Sequence, residues 1–340
     1  MGGNALKQLG VEVKRFTTNE LETFYKPVAL RYIRQALGND TVVNTVPSYR
    51  NKETHGDLDV VMCVDDTTPS DWKDRIIRMF HTDTYVGNGK VLSIYMHGIQ
   101  VDVIAEHKDH YDFALAYYSY NDLGNLLGRV ARANGLKLSH KGLFYDVGYD
   151  GRTLDTIKVT GSFREALKLL GYEPVIHDSG FDTLEDIFRY VVSSPRFDFA
   201  YFDLEHRNNA ARLRDRKRPT YTAFLKWCHE NGYVENRDDA HSCVVTDWIR
   251  IAYRSEIERI VREYENHKYF KTMFNGRIVS ELTGLEGKEL GRLMKAIKNH
   301  PSYTGLYNGV VSGTIGSKYM DRHVLLIQND MENNDGKRTR

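Results

Sequence analysis

The stretch Ser48–Met62 reads SYRNKETHGDLDVVM and sets Asp57 and Asp59 at the head of an apolar run. Side chains alternate faces along a strand, so both carboxylates point the same way. Like charges on one face repel, and burying them is costly unless a cation lies between them. Asp102 interrupts a second apolar run, IQVDVIA. If the two strands are neighbours, three carboxylates converge at one edge of a sheet. Such a cluster suits two divalent metals about 4 Å apart. One lowers the pKa of an attacking hydroxyl, and the other holds triphosphate oxygens and offsets charge on the leaving pyrophosphate. Ligands that are all oxygen favour Mg²⁺ or Mn²⁺ over zinc. Ser48, Arg50 and Lys52 precede the pair and are suitable donors to a triphosphate. A strand with one face in water can also carry alternating aspartates for solubility alone. The apolar flanks, the loop donors and the third strand aspartate together favour the metal.

Positioning these acids requires a small sheet. DTVVNTV reads as a short strand, Pro47–His55 as a polar loop, and DLDVVMCV as the strand behind it. KVLSIYM and IQVDVIA flank a His97–Gly98 turn, a hairpin signature. Helices are expected over Thr18–Leu37, where Thr17 and Glu20 form a capping box and Pro27 argues for a kink or for two helices, and over SDWKDRIIRMF, opened by Ser70. After Asp109 the chain reads as mostly helical to Asn134–Gly135. The aromatic–glycine alternation of KGLFYDVGYDGRTLDTIKV follows, then helices to about Asn299. The fold class expected is α+β, a small mixed sheet followed by a largely helical C-terminal region. The divisions are an N-terminal helix (1–40), a catalytic palm (41–108), a nucleotide- and primer-binding subdomain (109–175), a helical nucleic-acid-binding domain (176–328) and a disordered polar tail (329–340).

PSYRNKETHGDLDVV with the downstream VDVI resembles the nucleotidyltransferase superfamily to which DNA polymerase beta belongs. That family carries a Gly-Ser motif, a basic loop, G-D-x-D and a later strand aspartate. The resemblance implies a nucleotidyltransferase palm in which Asp57, Asp59 and Asp102 are catalytic metal ligands for two Mg²⁺ or Mn²⁺ ions. Asp102 would lie nearest the attacking hydroxyl, and Ser48 and Arg50 would contact the triphosphate. Pro47 stands where the family has glycine. AYYSYNDLGNLLGRVARANGLKLSHKGLF is similar to a segment of family X polymerases. By that likeness Tyr117 and Tyr118 lie beside the incoming sugar, Asp122 and Asn125 line the nascent base, and Arg129 contacts the template side. Tyr120-Asn121 replaces the family Gly-Ser, and Ser139-His140-Lys141 replaces Asn-Glu-Tyr.

Net charge is +1, with 41% apolar and 27% charged residues, so any nucleic-acid partner must be met by local patches. RLRDRKRPTY supplies one: Arg212, Arg214, Arg216, Lys217 and Arg218, with Tyr221 and Trp227 following. The alternative is a solvated helix face or an ion-pair network. In Glu281–Lys298, Leu290, Leu293, Met294 and Ile297 form an amphipathic stripe, and Gly284 and Gly287 precede it. This segment looks like the T-G-x-x-G-x-x-L-G motif of tRNA nucleotidyltransferases and bacterial poly(A) polymerases. Cys63, Cys228 and Cys243 form no paired spacing, consistent with reduced thiols. No run approaches the roughly 20 apolar residues of a membrane span, so a cytoplasmic setting is expected. The stretch before the first strand is too short for the gap-recognising region of a family X repair polymerase. Template-independent addition from a nucleoside triphosphate to an RNA 3′ end, tRNA above all, is therefore the leading expectation. A templated DNA polymerase, or a nucleotidyltransferase acting on protein, are the alternatives.

Overall fold

The computed structural model describes residues 5–205, 209–234 and 243–338. Contacts divide the chain into two units, Met1–Asp146 with Thr156–Ala252, and Val147–Asp155 with Tyr253–Arg340. These divisions differ from those expected at 108/109 and 175/176.

The first unit is built on a mixed five-stranded sheet. Its strands are β2 (Val43–Thr45), β4 (Leu58–Val64), β5 (Tyr85–Asn88), β6 (Val91–Met96) and β7 (Ile99–His107), in the order β2-β4-β7-β6-β5. A separate two-stranded ribbon pairs β1 (Phe16–Thr17) with β3 (Thr54–His55). β4 and β7 run parallel and the other pairs antiparallel. The β6–β7 hairpin turns at His97 and Gly98, both with positive φ (48° and 91°). That is the backbone a two-residue turn needs to match strand twist.

Register then decides what each face carries. Leu58, Val60 and Met62 pair with Val101, Val103 and Ala105, and Leu92, Ile94 and Met96 continue the row. All are buried in one apolar cluster with Ala29 and Ile33 of the helix Lys26–Leu37 and with Ile76 and Phe80 of the helix Trp72–Phe80. Each such Val, Leu, Ile, Met or Phe side chain contributes about 1.5–3 kcal/mol relative to exposure. Alternation leaves Asp59, Val61 and Cys63 of β4, Ser93 of β6, and Gln100, Asp102, Ile104 and Glu106 of β7 on the opposite face. The helix Tyr111–Tyr118 packs against β4 and β7.

Thr17 does form the expected capping box with Glu20. Pro27 lies at the start of the helix Lys26–Leu37, directly after a π-helical turn, Leu21–Tyr25. The wider turn accommodates a residue with no N–H to donate. The next helix is capped by Asp71 rather than Ser70. The Asp71 carboxylate receives Arg75 Nε at 2.8 Å instead of closing on the backbone. β5 was not anticipated, although Asn88-Gly89 ahead of an apolar run is itself a hairpin signal.

A three-stranded sheet follows, in the order β10-β9-β8, with β8 Leu136–Ser139, β9 Gly142–Tyr149 and β10 Arg152–Thr160. In the second unit five helices enclose Phe270, Phe274, Val279, Leu293, Ile297, Leu306, Val310, Met320, Val324 and Ile327. The expected stripe is realised in the helix Gly287–Asn299, with Leu293 and Ile297 buried and Leu290 and Met294 partly so. The tail expected to be disordered is helical instead: Ser317–Arg338 is one helix, and residues 339–340 lie outside the described part. Met320, Val324 and Ile327 seat it and Met331 prolongs the packed face, so its polar turns extend an anchored nucleus. Among the described residues no helix is long and apolar enough to cross a membrane. Cys63 and Cys228 are free thiols, and the Cys243 side chain lies outside the described part.

Candidate metal centre

Parallel pairing of β4 with β7 puts Asp59 directly opposite Asp102. Asp57 precedes Asp59 by two residues on the same face. One carboxylate oxygen from each of the three lies within 4.8 Å of the others. Among the described residues this is the only group of three or more metal-capable side chains. Asp102 is buried, and Asp57 and Asp59 are half-buried.

The electrostatics record the crowding. Burial, with Asp102 nearby, pushes the Asp57 carboxyl up to about 6. Burial and the two neighbouring carboxylates hold Asp59 well above the ordinary carboxylate range. Asp102 is also raised by burial, against hydrogen bonds from Ser93 and Gln100 that favour its ionised form. Gln100 Nε2 donates to both Asp102 oxygens at 2.9 and 3.0 Å, and Gln100 Oε1 accepts the Leu6 N–H at 3.2 Å. Asp102 is therefore held in one orientation. Asp57 Oδ2 and Asp59 Oδ1, by contrast, are buried without a hydrogen-bond partner. Two unpartnered carboxylate oxygens beside a fixed third acid form an all-oxygen donor set that fits a hard divalent cation.

The other anticipated residues divide. Lys52 lies close enough for Asp57 and Asp59 to act on it. Burial nonetheless lowers its pKa, and its Nζ donates to Asn121 Oδ1 at 3.2 Å. Ser48 is half-buried in the same loop. Arg50, expected on a triphosphate, instead pairs with Asp182 through Nε and donates to the Ser179 carbonyl at 2.8 Å. A carboxylate and a carbonyl suit its planar fork, so the 179–182 segment captures it. Tyr117 and Tyr118 meet edge to face at 5.6 Å. The Tyr118 hydroxyl donates to buried Glu106 at 3.0 Å and accepts from Lys90 at 3.3 Å. Burial and Glu106 raise its pKa. Asn125 Nδ2 is buried without a partner.

Several residues expected at a nucleic-acid surface take part in an ion-pair network. Asp215, fully buried, receives Arg129 Nη2 at 3.2 Å and Arg214 Nε at 3.2 Å, with Arg218 at 3.9 Å. Arg218 also pairs with Asp122 at 2.7 Å, so Asp122 faces a guanidinium rather than an open base pocket. Arg212 donates to Asn209 at 3.3 Å. Arg216 and Lys217 are exposed. The one acid of the run folds inward and draws three arginines after it, since a buried carboxylate needs paired charge. Asp215→Ala should cost the first unit roughly 3 kcal/mol or more in urea unfolding, because the arginines lose their shared counter-ion. Unchanged stability would show the network to be dispensable.

Gln100, Ser93, Glu106, Lys90 and Asn121 were not anticipated. Gln100, Asp102 and Glu106 alternate along IQVDVIAEH, and that period-2 pattern was the available signal. Scanned against known family models, the sequence matches none, and no curated protein matches it significantly.

Proposed function

We propose that this chain is a metal-dependent nucleotidyltransferase, which transfers a nucleoside monophosphate from a triphosphate to a hydroxyl. A nucleic-acid 3′-hydroxyl, most directly an RNA 3′ end, is the acceptor. The observation that carries the reading is the register pair Asp59–Asp102 with Asp57 on the same face, three crowded carboxylates of which two keep an unpartnered oxygen.

In this reading Asp57, Asp59 and Asp102 hold Mg²⁺ or Mn²⁺. What the bound ions supply is a lowered pKa for the attacking hydroxyl and charge neutralisation on the departing pyrophosphate. The acceptor oxygen forms a bond to the α-phosphorus, the bond from that phosphorus to the bridging oxygen breaks, and pyrophosphate leaves. Asp102, oriented by Gln100, is the carboxylate nearest the hydroxyl and accepts its proton on Oδ1 or Oδ2. Lys52 meets phosphate charge. The likeness of Thr283–Gly291 to tRNA-enzyme segments supports an RNA acceptor.

The test is extension on a denaturing gel with Mg²⁺ and each NTP and dNTP singly. The acceptors are a tRNA lacking its 3′ CCA, a generic single-stranded RNA and a one-nucleotide gapped DNA. Untemplated ribonucleotide addition to RNA is expected. Templated filling of the gap with deoxyribonucleotides would replace the RNA reading with a polymerase. Label appearing only on protein would replace it with protein nucleotidylation.

A further inference from the structure

The turn between the helices Tyr111–Tyr118 and Leu123–Ala133 places two consecutive residues, Tyr120 and Asn121, at φ 59° and 61°. Neither is glycine. Left-handed backbone costs an L-residue roughly 1–2 kcal/mol, less for asparagine than for tyrosine. It persists only where the surroundings over-determine it, and such residues gather at functional sites.

The surroundings here converge on the loop that leads to the acids. The Tyr120 N–H donates to the Pro47 carbonyl at 2.8 Å. Its ring meets His177 and Phe181 edge-on, with centroids 5.2 and 4.9 Å away. A β-carbon on Gly180 (φ 74°) would lie 3.2 Å from the Tyr120 hydroxyl oxygen and 3.1 Å from Arg50 Nη1, so both side chains pass close to that bare backbone. From the same segment the Phe181 and Asp182 carbonyls accept the Arg50 and Asn51 N–H groups, each at 2.9 Å. Residues 47–51 are thus gripped from two sides. The next residue is Lys52, and Asn121 holds its ammonium.

A half-buried ammonium bonded to one neutral amide has two of its three N–H donors left for another acceptor. A carboxylate at position 121 would cancel the ammonium's charge. The acids that act on Lys52 are Asp57 and Asp59. Arg50, the other cation of this loop expected on phosphate, is committed to Asp182 and Ser179.

We propose that Asn121 is a positioning residue: set by the left-handed Tyr120–Asn121 turn, it aims the Lys52 ammonium at the phosphates of a nucleoside triphosphate bound beside Asp57 and Asp59. The inference rests on the nucleotidyl-transfer reading and names the device that would hold its nucleotide.

If Asn121 served only the left-handed turn, deleting its side chain while keeping that turn would leave nucleotide binding unchanged. Glycine adopts φ near +60° freely, so Asn121→Gly keeps the turn while deleting the side chain that reaches Lys52. The experiment titrates a non-hydrolysable α,β-methylene nucleoside triphosphate, with Mg²⁺ present, into the full chain and three variants: Asn121→Gly, Lys52→Met and the double. Calorimetry gives Kd, and Tm is recorded in parallel. Asn121→Gly should weaken binding about tenfold with no fall in Tm, the factor expected when a charged group loses an aligning hydrogen bond. Lys52→Met should weaken it at least as much, and the double variant should be no weaker than Lys52→Met, since Asn121 acts only through Lys52. Unchanged affinity in Asn121→Gly, additive losses in the double variant, or a Tm that falls in step with affinity would each overturn the proposal. A wild-type chain that binds no nucleoside triphosphate would overturn the nucleotidyl-transfer reading itself.

Discussion

Asp59→Asn and Asp102→Asn should each reduce nucleotide transfer by a factor on the order of 10³ or more while the sheet stays folded. Losing a ligand of a two-metal site removes several kcal/mol of transition-state charge stabilisation, and each 1.36 kcal/mol is a decade in rate. The fold should survive because the core of the first unit lies on the other face. Leu58, Val60, Met62, Val101 and Val103 pack against two helices and touch none of the acids' charge. Asp59→Asn should even raise the Tm of the metal-free protein. It removes a carboxylate that is buried beside two others, with one oxygen unpartnered. Asp102→Asn is the less comfortable variant. Gln100 Nε2 donates to both Asp102 oxygens, and an amide there presents a donor to a donor. If Gln100 turns its oxygen inward instead, the Leu6 N–H loses its acceptor. A small loss of stability is expected there, separable from the loss of turnover by circular dichroism and thermal melts. Substantial turnover in either variant, with every nucleotide and acceptor tried, would dismiss the acid cluster as the reacting site.

That cluster was legible in the sequence for a simple reason. An aspartate in the middle of an apolar strand is anomalous, and period-2 alternation converts Asp57-x-Asp59 into a shared face without further information. The pairing of Asp59 with Asp102 needed only that two apolar runs be neighbours. What surrounds the acids was less legible. Gln100 and Glu106 follow the same alternation, yet a glutamine or glutamate near a strand end passes for a solvated residue until burial is known. Tyr120 and Asn121 carry no glycine to announce left-handed backbone, because the tertiary contacts of Tyr120 impose it. The particular ion pairs of the arginine run were not legible because its partners are distant in the chain. Arg129 lies 86 residues from Asp215, and Arg218 lies 96 from Asp122. No spacing rule reaches that far. In the tail, Met320, Val324, Ile327 and Met331 stand at helical intervals, but the polar residues between and beyond them dominate the composition.

Divalent metal should stabilise the chain, and increasingly so as pH rises. Asp57 titrates in the folded chain near 6, against about 4 for an exposed carboxyl, and Asp59 lies well above its usual value. A carboxyl with a raised folded-state pKa binds its proton more tightly folded than unfolded. Its stabilising contribution is therefore complete below pH 4 and is lost as pH climbs through 6 and beyond. For Asp57 alone the two-unit shift amounts to roughly 3 kcal/mol. Two buried histidines work in the other direction. His55 and His177 are depressed to about 4 by burial, so they cost stability below about 6.5 and nothing above it. Wild type and Asp59→Asn share both histidines, so the difference between the two chains at each pH isolates the acids. As pH rises the metal-free wild type should lose stability relative to Asp59→Asn, which lacks the raised carboxyl. Mg²⁺ or Mn²⁺ binds the ionised carboxylates and should reverse the loss, by an amount that grows with pH and with metal concentration as RT ln(1 + [M]/Kd). Melting curves at half-unit pH steps, with chelator and with each metal, measure all of this. A Tm difference between metal and chelator that is zero at pH 8 would mean that the three acids hold no ion.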